Sequence, residues 1–208
     1  MIGYLLIGGM VMLGLIIVIF YKHFVKQKTD EYMIMSGPTN FNEKFYKEIE
    51  LPDRLNTQYG KGHGITIIWD MYIPNTTENR MFNSSFDRLK PIIRIGNSPH
   101  IYYHPKKGYL SIISKYTDNP FYSNYPEIKY DEVKLQKWER YILVIKNRSI
   151  NLFVGGKLKM ATTLLNIPIV DTNRLIKLGE YNNNFQGKVR NLKIIGHPLD
   201  NKNIQNIF

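Results

Sequence analysis

No charged side chain occurs between Ile2 and Tyr21. Ile2, Leu5, Leu6, Ile7, Val11, Leu13, Leu15, Ile16, Ile17, Val18, Ile19 and Phe20 make this stretch almost wholly apolar. A helix rises about 1.5 Å per residue and the hydrocarbon core is roughly 30 Å thick, so such a run just spans a bilayer. Tyr4 at one end, and Phe20, Tyr21 and Phe24 at the other, suit the two interfaces. A cleaved secretory signal would need a basic leader and a small-residue cleavage site, and neither is present. The expectation is therefore an uncleaved transmembrane helix over residues 1–21.

The first charges after the run are Lys22, Lys26 and Lys28. Lysines on the C-terminal flank place that side in the cytosol. Three sequons, Asn75-Thr76-Thr77, Asn83-Ser84-Ser85 and Asn147-Arg148-Ser149, argue the other way. They weigh less, because 20 asparagines produce sequons by chance. Residues 22–40 read as a juxtamembrane tether that ends in the breaker cluster Ser36-Gly37-Pro38-Thr39-Asn40.

From residue 41 to 208 the pattern is strand, turn, strand. The chain has one alanine, Ala161, against 28 isoleucines and 15 tyrosines, a bias against helix and toward strand. Ile65, Ile67, Trp69, Met71 and Ile73 alternate with Thr66, Asp70 and Tyr72. Ile92–Ile95 is a short strand, and His100–Tyr103 and Tyr109–Ser114 flank a Pro-Lys-Lys-Gly turn. Trp138–Lys146 and Ile150–Val154 form a second hairpin, with Tyr141, Leu143 and Ile145 on one side and Gly155-Gly156 in the following turn. Leu175–Leu178 and Val189–Ile195 are further strands. Only Leu199–Phe208 has helical spacing, with Asp200 as its cap. The expected fold is all-β, an antiparallel two-sheet sandwich behind one helix.

The hairpin Trp138–Lys157, the stretch Leu178-Gly179 to Phe185-Gln-Gly187 and the closing Pro198-Leu199-Asp200 resemble laminin-G-like, or concanavalin A-like, domains. The resemblance implies a jelly roll over residues 41–208. It implies core roles for Trp69, Trp138 and Phe185, and turn or close-approach roles for Gly156, Gly179 and Gly187. A membrane anchor on such a domain, in an Ile/Asn/Lys-rich chain, resembles membrane-associated virion proteins of large double-stranded DNA viruses. That likeness implies a structural protein, a minor capsid or virion-membrane component, whose partners are the lipid bilayer and other virion or membrane proteins.

No catalytic role is expected. The carboxylate triplet of related glycoside hydrolases is missing, and Glu48/Glu50 sit beside Lys44 and Lys47 as a solvated edge. His100 and His104 on a strand lie about 13 Å apart, too far to chelate as a pair, and read as exposed loop histidines. Gly60–Gly64 reads as a turn. Asp70, Asp118 and Asp171 are calcium-type residues that nothing in the sequence brings together, so no metal or cofactor is assigned. With no cysteine, thiolate metal sites and thiol nucleophiles are excluded. The formal charge of +11 suits an anionic surface. Nucleic-acid binding is not expected, for want of a recognised module. The alternative function is a displayed glycan-binding module, with Tyr122–Tyr125 and Tyr181–Asn184 as candidate rim residues.

Overall fold

The structure is a computed structural model, and residues 12–20, 31–52, 64–75, 87–96, 98–114, 126–168 and 175–208 are described. Thirteen strands follow one another among these residues: β1 (Glu31–Met35), β2 (Thr39–Phe41), β3 (Tyr46–Glu50), β4 (Ile65–Tyr72), β5 (Lys90–Ile95), β6 (His100–His104), β7 (Tyr109–Ile113), β8 (Glu127–Tyr130), β9 (Trp138–Lys146), β10 (Ser149–Val154), β11 (Lys157–Thr163), β12 (Leu175–Gly179) and β13 (Gly187–Ile195). Residues 12–20 are helical (α1), and a short helix, α2 (Asn201–Gln205), closes the chain.

The strands form two antiparallel sheets. The first runs β1-β13-β4-β9-β10-β11, with β2 also on β13, and the second runs β3-β12-β5-β6-β7-β8. The period-two pattern explains the layering. Ile65, Ile67, Trp69 and Met71 of β4 and Tyr141, Leu143 and Ile145 of β9 join Ile93, Ile101, Leu110 and Leu178 of the second sheet in one core. The intervening Ile68, Ile142, Val144 and Phe153 face outward, yet are also buried. Leu199, Ile204 and Ile207 lie over them as a second, smaller core. Asp200 caps α2 as its residue type predicts, its side chain accepting from the Asn203 amide at 2.8 Å.

The two-sheet β body and both hairpins match the expectation. The tether differs. From Glu31 on, the stretch expected to be a linker pairs with β13, Glu31 opposite Ile195 and Asn40 opposite Lys188. Two short strands share one edge of β13; Ser36-Gly37-Pro38 separates them instead of ending a tether, and Thr39 and Asn40 of the expected breaker cluster belong to β2.

Among the described residues no helix is long and apolar enough to cross a membrane. Ile2, Leu5, Leu6, Ile7 and Val11, and the topology lysines Lys22, Lys26 and Lys28, lie outside the described residues. Leu13, Leu15, Ile16, Ile17, Val18, Ile19 and Phe20 lie in α1 and are all exposed.

Candidate functional site

The outer face of the first sheet carries a polar and aromatic strip. Register places Asn40, Lys188, Tyr72 and Trp138 side by side across β2, β13, β4 and β9. The next row along the same strands is Arg190, Asp70 and Arg140. Trp138 is therefore not the core residue expected. It shares parity with Arg140 and Ile142, so it faces away from the opposite sheet and is half-buried. Trp69, one β4 residue from Asp70, is the core tryptophan, stacked on Tyr141 at 5.4 Å.

Asp70 organises the second row. Its carboxylate is almost fully buried and accepts from Arg140 at 2.6 Å, Arg190 at 3.2 Å and Asn191 at 2.7 Å. Burial alone would raise its pKa; the bonds from Arg140 and Asn191 outweigh that and hold it below the ordinary carboxylate value. Arg190 in turn lies 4.2 Å over the Trp138 ring, and Trp138 leans on Tyr72 at 5.6 Å. This calcium-type carboxylate is thus satisfied by cations. Asp118 and Asp171 lie outside the described residues.

Tyr72 forms the wall of a groove of ≈ 800 Å³ at this end of the sandwich. Pro74, Phe41 and Gly187 complete its apolar side, and Asn40, Asn42, Glu43, Lys44, Gln186 and Lys188 form a polar rim. Lys44 and Lys188 have no carboxylate partner among the described residues. The rim is held by Asn184, which is buried: its Oδ1 accepts from the Glu180 amide, and its Nδ2 donates to the carbonyls of Asn42 at 2.7 Å and Phe45 at 2.5 Å. The expected rim stretch Tyr181–Asn184 thus splits, with Tyr181 exposed and Asn184 spent on structure. Tyr122–Tyr125 lies outside the described residues.

The motif residues sit around this end. Phe185 is in the core, 5.1 Å from Phe41. Gly179 has φ +67°, and a Cβ there would meet Asn184 Oδ1 at 2.5 Å. A Cβ on Gly187 would meet the Phe185 ring at 2.1 Å, so that glycine is required by close approach. Gly156 lies in the β10–β11 turn against Phe208.

The histidines are not exposed loop residues. Both lie on β6: His104 is buried against Tyr109, and His100 bonds the Gly96 carbonyl at 3.0 Å. Burial lowers both pKa values. Among the described residues no three His, Asp or Glu side chains could hold a metal. Glu48, on edge strand β3, pairs with Lys177 at 3.1 Å and accepts from Tyr46, a solvated edge as expected.

Sequence reading missed Tyr72, Lys188 and Arg190 as a unit. The alternation around Trp69 does mark Tyr72 as outward-facing, but register across four strands is not local information.

No protein-family model and no curated protein matches the sequence. Solved structures do resemble the fold. The botulinum neurotoxin serotype D binding domain is 13% identical with TM-score 0.61, over 86% of this chain and 42% of that one. The serotype D ligand-binding domain in complex with N-acetylneuraminic acid is 14% identical with TM-score 0.63, over 82% and 41%. The binding domain of botulinum neurotoxin DC in complex with rat synaptotagmin II is 12% identical with TM-score 0.61, over 86% and 45%. This chain spans less than half the length of each. At such identity the likeness is one of fold, a β-sandwich shared with toxin binding domains, and it lends no support to a viral source.

Proposed function

We propose that this chain is a non-catalytic binding module and that the groove beside Tyr72 takes a glycan. One observation carries the reading: register sets an aromatic ring, an amide and a lysine in one row, Tyr72, Asn40 and Lys188, along an open groove. A sugar presents an apolar C–H face and a hydroxyl rim. Tyr72 and Pro74 suit the face, and Asn40, Asn42 and Gln186 suit the rim. Among fold neighbours, one is described in complex with N-acetylneuraminic acid and another in complex with rat synaptotagmin II. Both facts belong to those proteins and favour binding over catalysis here. The capsid-bridging role suggested by composition draws nothing from these neighbours.

The apolar segment that includes α1 holds the module at a bilayer in this reading; every apolar side chain of α1 is more than half exposed, which is costly in water. Glycan display requires the body outside the cytosol, against the lysine-flank argument. Asn75, which is exposed, would then be open to glycosylation.

The test uses the two tryptophans. Trp69 is buried and Trp138 is half-buried beside Tyr72, so a ligand in the groove changes Trp138 emission. On a printed glycan panel, Tyr72→Ala is expected to weaken binding at least about tenfold, ~1.4 kcal/mol. Trp138→Phe is expected to silence the emission change. Absence of binding across the panel, or binding indifferent to Tyr72→Ala, refutes the reading.

A further inference from the structure

The end of the sandwich opposite the groove has the composition of a membrane-docking surface. Glu31 opens β1 opposite Ile195, Ile195 lies opposite Thr66, and Thr66 lies opposite Val144. Two residues beyond Val144 come Lys146 and then the β9–β10 turn at Asn147-Arg148. Thr163, the last residue of β11, pairs with Ser149 just after that turn. Leu165 and Ile167 follow at the same end. Leu165 is 77% exposed and Ile167 53%, the former the most exposed large hydrophobic side chain among the described residues. Arg148 reaches the Leu165 carbonyl at 3.3 Å, and the Leu164 amide donates to the Arg148 carbonyl at 2.7 Å. Two bare aliphatic side chains are thereby fastened to a cationic turn. Lys146 and Arg148 have no carboxylate partner among the described residues.

We infer that this tip inserts Leu165 and Ile167 shallowly into a bilayer while Lys146 and Arg148 face anionic headgroups. Position supplies the occupant. The chain enters the body at Glu31, at this end, eleven residues after Phe20 of the exposed apolar helix α1. Eleven residues reach at most about 40 Å. Glu31 and Leu165 lie at opposite edges of the first sheet, five strand spacings of roughly 4.8 Å apart, about 24 Å. One edge is tethered by the apolar segment, so the other rests on the same lipid surface, and two contacts fix the tilt. Aliphatic insertion beside basic side chains is the chemistry of interfacial binding. The groove at Tyr72, at the far end, then points away from the bilayer. The inference rests on the membrane placement proposed above and not on the glycan.

The chain has no cysteine, so one introduced residue carries a single reporter. Full-length protein with Leu165→Cys or Ile167→Cys is labelled with an environment-sensitive dye and mixed with phosphatidylcholine vesicles, with and without phosphatidylserine. Tyr181→Cys, in the exposed loop at the groove end, is the control. The expected result is co-flotation of every variant, with a blue-shifted label at 165 and 167 that an aqueous reductant bleaches several-fold more slowly than the label at 181. Adding Lys146→Glu and Arg148→Glu should lower that protection on phosphatidylserine vesicles without abolishing flotation; unchanged protection overturns the role assigned to the cations. Flotation with equal bleaching at 165 and 181 overturns the docking tip and leaves the anchor standing. Failure to float overturns both.

Discussion

The guanidinium of Arg190 lies 4.2 Å over the ring of Trp138, while its Nε donates to Asp70 at 3.2 Å. The buried carboxylate thus aims a cation at an aromatic face, and the indole in turn backs Tyr72 at the groove. Arg190→Ala should uncover the ring. Trp138 is expected to become more quenchable by acrylamide, with a loss of only about 0.5–1 kcal/mol because the pair is partly exposed. Unchanged quenching would show that Arg190 does not shield the indole in solution.

Asp70 sets an acid limit. Its folded pKa lies below the unfolded value of about 3.9, because the bonds from Arg140 and Asn191 outweigh its burial. A depressed carboxyl contributes stability above its unfolded pKa, and that contribution disappears as pH falls through the folded value. Asp70→Asn keeps the shape and removes the charge. It should cost about 2–3 kcal/mol at neutral pH, since Arg140 and Arg190 lose their shared anion while keeping partial solvation. It should also flatten the fall of the urea midpoint as the pH drops below the unfolded value of about 3.9. An acid limb as steep as that of the parent chain would refute this role.

Gly179 closes β12 with φ +67°, where a Cβ would strike Asn184 Oδ1 at 2.5 Å and the Phe45 carbonyl at 2.9 Å. Gly179→Ala adds left-handed strain to that clash and is expected to cost about 2–3 kcal/mol by chemical denaturation. Asn184 anchors both Asn42 and Glu180, so the variant should also loosen the groove rim and raise amide exchange at Glu180. A neutral substitution would mean that the loop has slack.

The hairpins and α2 were legible because their signals are local. Alternation in Tyr141, Leu143 and Ile145 marks one face, the turn residues mark the reversal, and Asp200 marks the cap. Trp138 was misread because its bulk argues for the core while its parity, shared with Arg140, puts it outside; parity is the stronger constraint on a strand. β11 was missed because an edge strand of Lys-Leu-Lys-Met-Ala-Thr-Thr has little apolar face to show. β1 and β2 were missed because Ser36-Gly37-Pro38 reads as the end of structure, where it spaces two strands on one edge. The groove itself joins residues up to about 150 positions apart, and no window on the sequence holds them together.

The C-terminal strap is the remaining test of that local reading. Ile204 is the one fully buried residue of α2 and packs over Ile68, Ile142, Val144 and Phe153, which would otherwise leave an apolar outer face on the first sheet. A five-residue helix has little stability of its own, so its place depends on this side chain, on the Asp200 cap and on Arg140 donating to the Ile207 carbonyl at 2.8 Å. Ile204→Ala removes the packing and should cost about 2–4 kcal/mol, against about 1 kcal/mol for Asp200→Ala. Because both act by releasing the same segment, their effects should fall short of additive, and the released face should bind a hydrophobic dye before the sandwich melts. Strict additivity without dye binding would show that the strap is held independently at each point.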